Sequence, residues 1–194
     1  MKRIITASLL AVGLLLCGAT RAAAQSSAPA GVRAEVLFWI EDAETKLIRL
    51  AEAIPAEKYT WRPGEGVRSV SEVFLHVSGG NYGIPRLAGT PPPEGFTPQG
   101  FQTSTTDKAQ IVDHLKKSFA HVKGAVGNVS DADLDKAVRL FGRDSTIRNV
   151  LLLLATHAHE HLGQMIAYTR MNGITPPWTE EAQQRQQQQP AKRP

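Results

Sequence analysis

Apolar residues recur at alternating intervals of three and four positions in four separate stretches of the chain. The clearest stretch carries them at Val36, Ile40, Ala43, Leu47, Leu50 and Ile54. The other three stretches cover residues 70–87, 112–126 and 147–172. These intervals keep apolar side chains on one face of an α-helix, and no comparable stretch shows the alternation of every second residue that is typical of a strand. The pattern therefore predicts four amphipathic helices.

Start and stop signals agree with these helices. Ser69 and Glu72 have the spacing of a capping box at the start of the second helix, and Gly173 is placed to end the fourth. Residues 89–105 are rich in Thr, Pro, Gly and Gln and are predicted to form a long loop. Four long helices in about 150 residues indicate an all-α fold, a four-helix bundle over 32–178 with a long connection between the second and third helices.

The N-terminus has the pattern of a secretory signal peptide. Basic residues at 2–3 precede an uncharged apolar run, residues 4–19, and small residues surround Ala24. The run is shorter than the ~20 residues that a membrane-spanning helix needs. We therefore expect residues 1–24 to be removed and the protein to be periplasmic or secreted, without a stable membrane span. A retained anchor is the alternative.

Charge narrows the class of partner. The 194 residues include 22 Lys+Arg and 18 Asp+Glu, which gives a formal net charge of +4. The excess of positive charge lies in the predicted signal and in residues 179–194, which we expect to be a disordered Gln-rich tail after the bundle. Residues 31–178 carry sixteen charges of each sign, so a nucleic-acid partner is not expected. Residues 25–31 are interpreted as a linker, and the single cysteine, Cys17, excludes an intramolecular disulfide.

The fourth predicted helix changes from apolar to polar half-way along its inward face. Beyond Leu154 that face carries His157, His161, Gln164 and Tyr168, still at intervals of three and four. His157 and His161 therefore lie one turn apart on the same face. Burying two imidazoles without bonding partners costs free energy. A divalent metal bound by their neutral nitrogens would be a shared partner for both. Gln164 and Tyr168 extend this face and are predicted to line a binding pocket.

A catalytic zinc site usually has three protein ligands and an open position. The candidates for the third ligand are His76, His114 and His121. His114 and His121 flank the apolar stripe of the third helix among lysines, and we expect them on the surface. His76 lies on the apolar side of the second helix and is the best candidate. His159 is offset from His157 by about 200° and is expected at the surface or against a neighbouring helix.

Other residues of the second helix have two interpretations each. Glu72 either completes the capping box, which we favour, or accepts a hydrogen bond from a ligand imidazole. The pair Gly79-Gly80 either bends the helix or allows a neighbour to approach closely. Asn81, directly after the pair, is a further candidate for lining the pocket.

Two segments carry a family resemblance. They are Trp61-Arg62-Pro63-Gly64-Glu65-Gly66, leading into Ser69-Val70-Ser71-Glu72-Val73 and His76, and His157-Ala158-His159-Glu160-His161-Leu162-Gly163-Gln164. Together they resemble the DinB/YfiT-like superfamily over nearly all of 32–178. The resemblance implies an up-down-down-up four-helix bundle, often a homodimer. It also implies a metal site formed by His76, His157 and His161.

The resemblance leaves the activity open. The relatives that it implies include thiol-dependent transferases, a maleylpyruvate isomerase and metal-dependent hydrolases. The predicted export weakens the transferase interpretation, because low-molecular-weight thiols are scarce outside the cytosol. Three neutral imidazoles suit zinc, nickel, iron or copper. We therefore expect a metalloenzyme that activates water or a thiol towards an unidentified small molecule. The alternative is a non-catalytic metal-binding or stress-related module with a closed site.

Overall fold

The computed structural model describes residues 31–188. Its helices and strands, in chain order, are α1 (Val32–Ala53), α2 (Val70–Gly83), α3 (Lys108–Asn128), β1 (Ala137–Leu140), β2 (Arg143–Thr146), α4 (Ile147–Met171) and α5 (Pro177–Gln188). Short 3-10 turns connect several of them. The four helices predicted from apolar spacing correspond to α1 to α4, and the mostly helical class is confirmed.

The four long helices enclose one apolar core. Helix α1 packs against α3 and α4, and α2 packs against the same two helices. The fully buried side chains between them include Ile40, Leu47, Phe74, Phe119 and Leu154. Burial of this apolar face is the main force that holds the helices together. The up-down-down-up order of the helices stays a prediction.

The predicted capping box fixes the start of α2. The Ser69 N–H donates to Glu72 Oε2 at 2.7 Å, and the Glu72 N–H donates to Ser69 Oγ at 3.3 Å. The Ser69 N–H and the nearby Arg62 guanidinium hold the pKa of the Glu72 carboxyl below its usual range. The capping interpretation of Glu72 is therefore confirmed. By fixing where α2 begins, the box helps to determine the direction of His76, which lies little more than one helical turn after Glu72.

A β-hairpin precedes α4, where the apolar spacing predicts no strand. Strands β1 and β2 pair antiparallel, with Ala137 opposite Thr146 and Leu140 opposite Arg143. Phe141 and Gly142 form the two-residue turn with φ angles of 49° and 80°, the positive values that a type I′ turn requires. The four-residue strands are too short for a periodic signal to stand out. The hairpin leads directly into α4, whose first residue is Ile147.

Residues 179–188 form most of helix α5, so the prediction of a disordered tail is wrong for this part of it. Gln, Glu, Ala and Arg are good helix formers, but α5 buries none of its residues and so lacks the apolar stripe used to predict the other helices. Arg49 of α1 forms an ion pair with Glu181. The predicted signal peptide, nearly all of the linker and residues 189–194 lie outside the described residues. Within 31–188, no helix is both long and apolar enough to span a bilayer.

Candidate metal centre

Three histidines meet between α2 and α4. His76 comes from α2, and His157 and His161 come from successive turns of α4. Each offers a ring nitrogen, and these atoms all lie within 4.8 Å of one another. The ring centroid of His161 lies 4.7 Å from the ring centroid of His76 and 4.7 Å from that of His157. The structure thus brings together the three residues that the sequence predicts as ligands, and this group could hold a metal ion.

The spacing of two of these nitrogens fits a tetrahedral metal. His76 Nε2 and His157 Nε2 are 3.3 Å apart. Two imidazole nitrogens bound to one zinc ion at the usual bond length and tetrahedral angle would be about 3.3–3.4 Å apart. The donor set and its geometry therefore fit a divalent ion.

The surroundings keep two of the three histidines uncharged. Burial lowers the pKa of His76 to about 4, with further lowering by the charges of Arg68 and His161. Burial also lowers the pKa of His157 to about 4, with additional effects of His161, His76 and Arg68. At neutral pH both imidazoles are neutral, so each has a lone pair available. A neutral imidazole is the form that binds a metal.

A chain of hydrogen bonds sets the proton position on His161. The main-chain oxygen of Arg68 can only accept, so the Tyr168 hydroxyl donates to it at 3.1 Å. That hydroxyl accepts from Gln164 Nε2 at 3.0 Å, which turns Gln164 Oε1 towards His161 Nδ1 at 2.8 Å. Since an amide oxygen also only accepts, this network places the proton on Nδ1 and leaves the Nε2 lone pair of His161 free for a metal.

Gln164 and Tyr168 therefore lie behind His161 in this structure. They are absent from the lining of the cavity beside His76, so their contact with a ligand stays a prediction. Their geometry assigns them a different task, since they orient the His161 imidazole. Tyr168 is also buried and packs edge-on against Trp61, which fixes the far end of the hydrogen-bond chain.

The glycine pair of α2 allows close approach of its neighbours. A Cβ at Gly80 would lie 3.0 Å from His157 Nδ1 and 3.1 Å from its Nε2, and closer still to Cε1. A Cβ at Gly79 would lie 3.3 Å from Cδ1 of Phe101. The close-approach interpretation of the pair is confirmed. The His157 ring occupies the space that any other residue at position 80 would fill.

A cavity of about 270 Å³ opens beside His76. The long loop at 89–105 forms one wall, and α2 with the residues before it forms the other. The lining consists of Arg68, Leu75, His76, Gly79, Gly80, Phe96, Pro98, Phe101 and Gln102. The loop was predicted only as a connection, yet it supplies the aromatic cover of the site.

Comparison with known proteins identifies the family. The DinB superfamily model matches residues 40–165, which is more than half of the chain. The chain belongs to the DinB superfamily. The resemblance seen in the sequence is thereby confirmed. No curated protein matches this DinB-superfamily chain significantly.

Two solved DinB-like proteins share its fold. One, from Bacillus cereus ATCC 10987, is 20% identical with a TM-score of 0.62, over 72% of this chain and 93% of its own. The other, YjoA from Bacillus subtilis, is 22% identical with a TM-score of 0.58, over 73% of this chain and 93% of its own. At this level of identity the likeness shows a common fold and does not extend to an activity.

Three other predicted positions lie away from the three-histidine group of this DinB-superfamily protein. Asn81, expected in the pocket, is buried between α2 and α3 and donates to Ser118 Oγ at 3.1 Å, so its amide serves helix packing. His114 and His121 are half-buried, where a surface position was predicted, because Phe101 and Tyr82 pack edge-on against them.

His159 packs against α1, as one of its two predicted alternatives requires. Its ring meets Trp39 edge-on, with 5.6 Å between the ring centroids, and its Nε2 lies 3.6 Å from Asp42 Oδ2. Its Nδ1 is 2.9 Å from the main-chain oxygen of Ala155. His159 therefore points away from the three-histidine group, although only one residue separates it from His157 and from His161.

Arg68 and Gln102 are the polar cavity residues that the sequence did not reveal. Arg68 stands directly before the capping Ser69, and its Nε donates to Gln102 Oε1 at 3.1 Å. An arginine before a helix normally indicates a solvated surface position. Its place beside the histidines follows from the packing of the long loop, which the apolar pattern does not specify.

Proposed function

We propose that this DinB-superfamily protein is an exported metalloenzyme in which His76, His157 and His161 hold one divalent metal ion. The observation that carries the proposal is the convergence of the three imidazoles beside a cavity. Three protein ligands leave a coordination position for water or a substrate. Zinc, nickel and iron are the candidate ions, since all three accept imidazole ligands.

The reaction proposed is hydrolysis or thiol transfer on a small molecule. An ion held by three histidines lowers the pKa of bound water or of a thiol and so provides a nucleophile at neutral pH. The chain's own residues prepare the site. Burial keeps His76 and His157 neutral, Gln164 orients His161, and Phe96 and Phe101 of the loop line the cavity beside them. Export favours hydrolysis, because low-molecular-weight thiols are scarce outside the cytosol.

The alternative function is a non-catalytic metal-binding or stress-related module. That function would suit a closed site with a fourth protein ligand. Among the described residues the grouped ligands are three histidines, and one of them forms part of a cavity wall. These features favour the enzyme.

The finer assembly belongs to the same proposal. We infer an up-down-down-up four-helix bundle, supported by the four long helices and the DinB-like structural neighbours. The family resemblance supports a homodimer. Nucleic acid is not proposed as a partner, since residues 31–178 carry balanced charge. The sequence of 1–24 supports export with signal cleavage, and mass spectrometry of the mature N-terminus tests cleavage after Ala24.

Elemental analysis of two variants tests the metal site. Protein is expressed without a His-tag, and His157→Ala is compared with His159→Ala. We expect about one metal ion per chain in the unaltered protein and in His159→Ala, and almost none in His157→Ala, because a three-ligand site loses a ligand. Equal metal content in the two variants would contradict the assignment. The metal identified is then used in hydrolase and thiol-transferase assays, and lack of any turnover would favour the non-catalytic module.

A further inference from the structure

A positive charge lines the cavity beside the histidines. Arg68 is half-buried, and its Nε is engaged by the side chain of Gln102 from the long loop. Within residues 31–188 no carboxylate forms an ion pair with Arg68, and among the described arginines without such a pair it is the one that lines this cavity. A charge in this position attracts an anion into the cavity.

Two contacts hold Arg68 in the wall of the cavity, which His76 also lines. The Tyr168 hydroxyl donates to its main-chain oxygen, and Gln102 fixes its Nε. Among residues 31–188, neither terminal Nη group of Arg68 has a hydrogen-bond partner. The charge of Arg68 also acts on the histidines, since it contributes to the lowered pKa values of His76 and His157. Since Arg68 and His76 line the same cavity, a ligand that binds Arg68 lies beside the three-histidine group.

Most of the other side chains that line the cavity are apolar, the exceptions being His76 and Gln102. Leu75, Phe96, Pro98 and Phe101 line it, and among its described lining residues Arg68 is the one with a permanent positive charge. Its volume of about 270 Å³ is at the lower end of the range for ligand pockets, roughly 300–1,000 Å³. The cavity therefore suits a ligand smaller than a typical drug, with one anionic end.

We propose that Arg68 binds the carboxylate of a small organic acid beside His76, with the apolar body of the acid against the loop aromatics. The inference rests on the proposed function and names the substrate class for the same site. A guanidinium presents a planar fork of donors that matches a carboxylate in two parallel hydrogen bonds. An uncharged amide of the same shape offers only one acceptor oxygen and no charge.

Binding of an acid and its neutral counterpart tests the role of Arg68. Phenylacetate and phenylacetamide are titrated into the purified full chain by calorimetry, with ligand-observed NMR for weak binding. We expect phenylacetate to bind about tenfold or more tightly than the amide, because a hydrogen bond to a charged partner is roughly twice as strong as a neutral one. In Arg68→Gln this preference should fall to about onefold. Arg86→Gln, which removes an exposed arginine outside the cavity lining, should keep it.

The same titrations in chelator-treated protein separate this inference from the proposed metal function. An acid preference that remains in metal-free protein and is lost in Arg68→Gln supports Arg68, even if His157→Ala shows that the metal assignment is wrong. A preference that survives Arg68→Gln and disappears with the metal would mean that the metal binds the carboxylate, which overturns the proposal. Equal binding of acid and amide, or no binding of the acid at millimolar concentration, also overturns it.

Discussion

Gly80→Ala is the sharpest available perturbation of the three-histidine group, because it changes one ligand's position without removing a ligand. The new methyl carbon would stand 3.0 Å from His157 Nδ1 and 3.1 Å from Nε2. The ring carbon Cε1 is closer still, and ordinary contacts of this type are about 3.5–4.0 Å, so the ring must retreat by about 1 Å or more. Ligand positions in a metal site tolerate only about 0.2 Å. We therefore expect Gly80→Ala to weaken metal binding roughly 10–100-fold, the range found when the support of a ligand is lost.

Gly163→Ala provides the matched control. Gly163 also lies within a helix, but a Cβ there would meet nothing within 4 Å. Both substitutions gain about 1 kcal/mol of helix propensity, so their difference isolates the contact with His157. Metal dissociation constants are measured by competition with a chromophoric chelator, and the free energy of unfolding is measured by urea titration of the metal-free proteins. If Gly80→Ala binds metal as tightly as Gly163→Ala, the packing of His157 on α2 has no part in the site.

Three further predictions follow from the geometry. In metal-free protein the folded pKa values of His76 and His157, about 4 against an ordinary 6.5, mean that the unfolded chain binds more protons between these limits. The free energy of unfolding should therefore decrease as pH is lowered from 6.5 towards 4. In the double variant His76→Gln/His157→Gln, the free energy of unfolding measured by urea titration should depend less on pH over this range. Gln164→Leu should weaken metal binding roughly 10–100-fold in the chelator assay, whereas unchanged affinity would contradict the orienting role. Asn81→Ala should lower stability by about 0.5–1.5 kcal/mol, because it removes the hydrogen bond to Ser118 while the Ser118 hydroxyl keeps its bond to the main-chain oxygen of Leu115; elemental analysis should find the metal content unchanged.

The helices and the histidine group could be predicted because both follow from the period of the α-helix. His157 and His161 are four residues apart, and that interval alone puts them on one face of α4. His76 is predictable as the third member of the group because it lies on the apolar side of α2, and that side must face a neighbouring helix. These predictions needed only local geometry and burial, and no knowledge of how the loops run.

The hairpin and α5 could not be found by the same means. Each strand has four residues, and Phe141 occupies a turn position with φ 49° where Asn, Asp or Gly is the usual signal. Only Gly142 gave a local hint of the turn. Helix α5 has polar residues all round, and a helix without an apolar stripe resembles a disordered segment in sequence.

The cavity cannot be predicted from the apolar pattern, because long-range packing creates it. Phe96 and Phe101 are aromatic residues in a loop otherwise rich in small and polar residues, and this was the available signal that the loop covers something. Phe101 meets Gly79 of α2 and packs edge-on against His114 of α3, so its position depends on three separate parts of the chain. Periodicity along the sequence carries no information of this kind.

Position 68 serves the site through two chemically independent groups. Its side chain lines the cavity, and its main-chain oxygen ends the hydrogen-bond chain that begins at His161. A substitution replaces the side chain but keeps the carbonyl, since every amino acid has one. A mutation at this position can therefore change which molecules enter the cavity and still keep the hydrogen-bond chain that orients His161. Residue 68 is therefore a position at which ligand specificity can evolve while the three-histidine group stays the same.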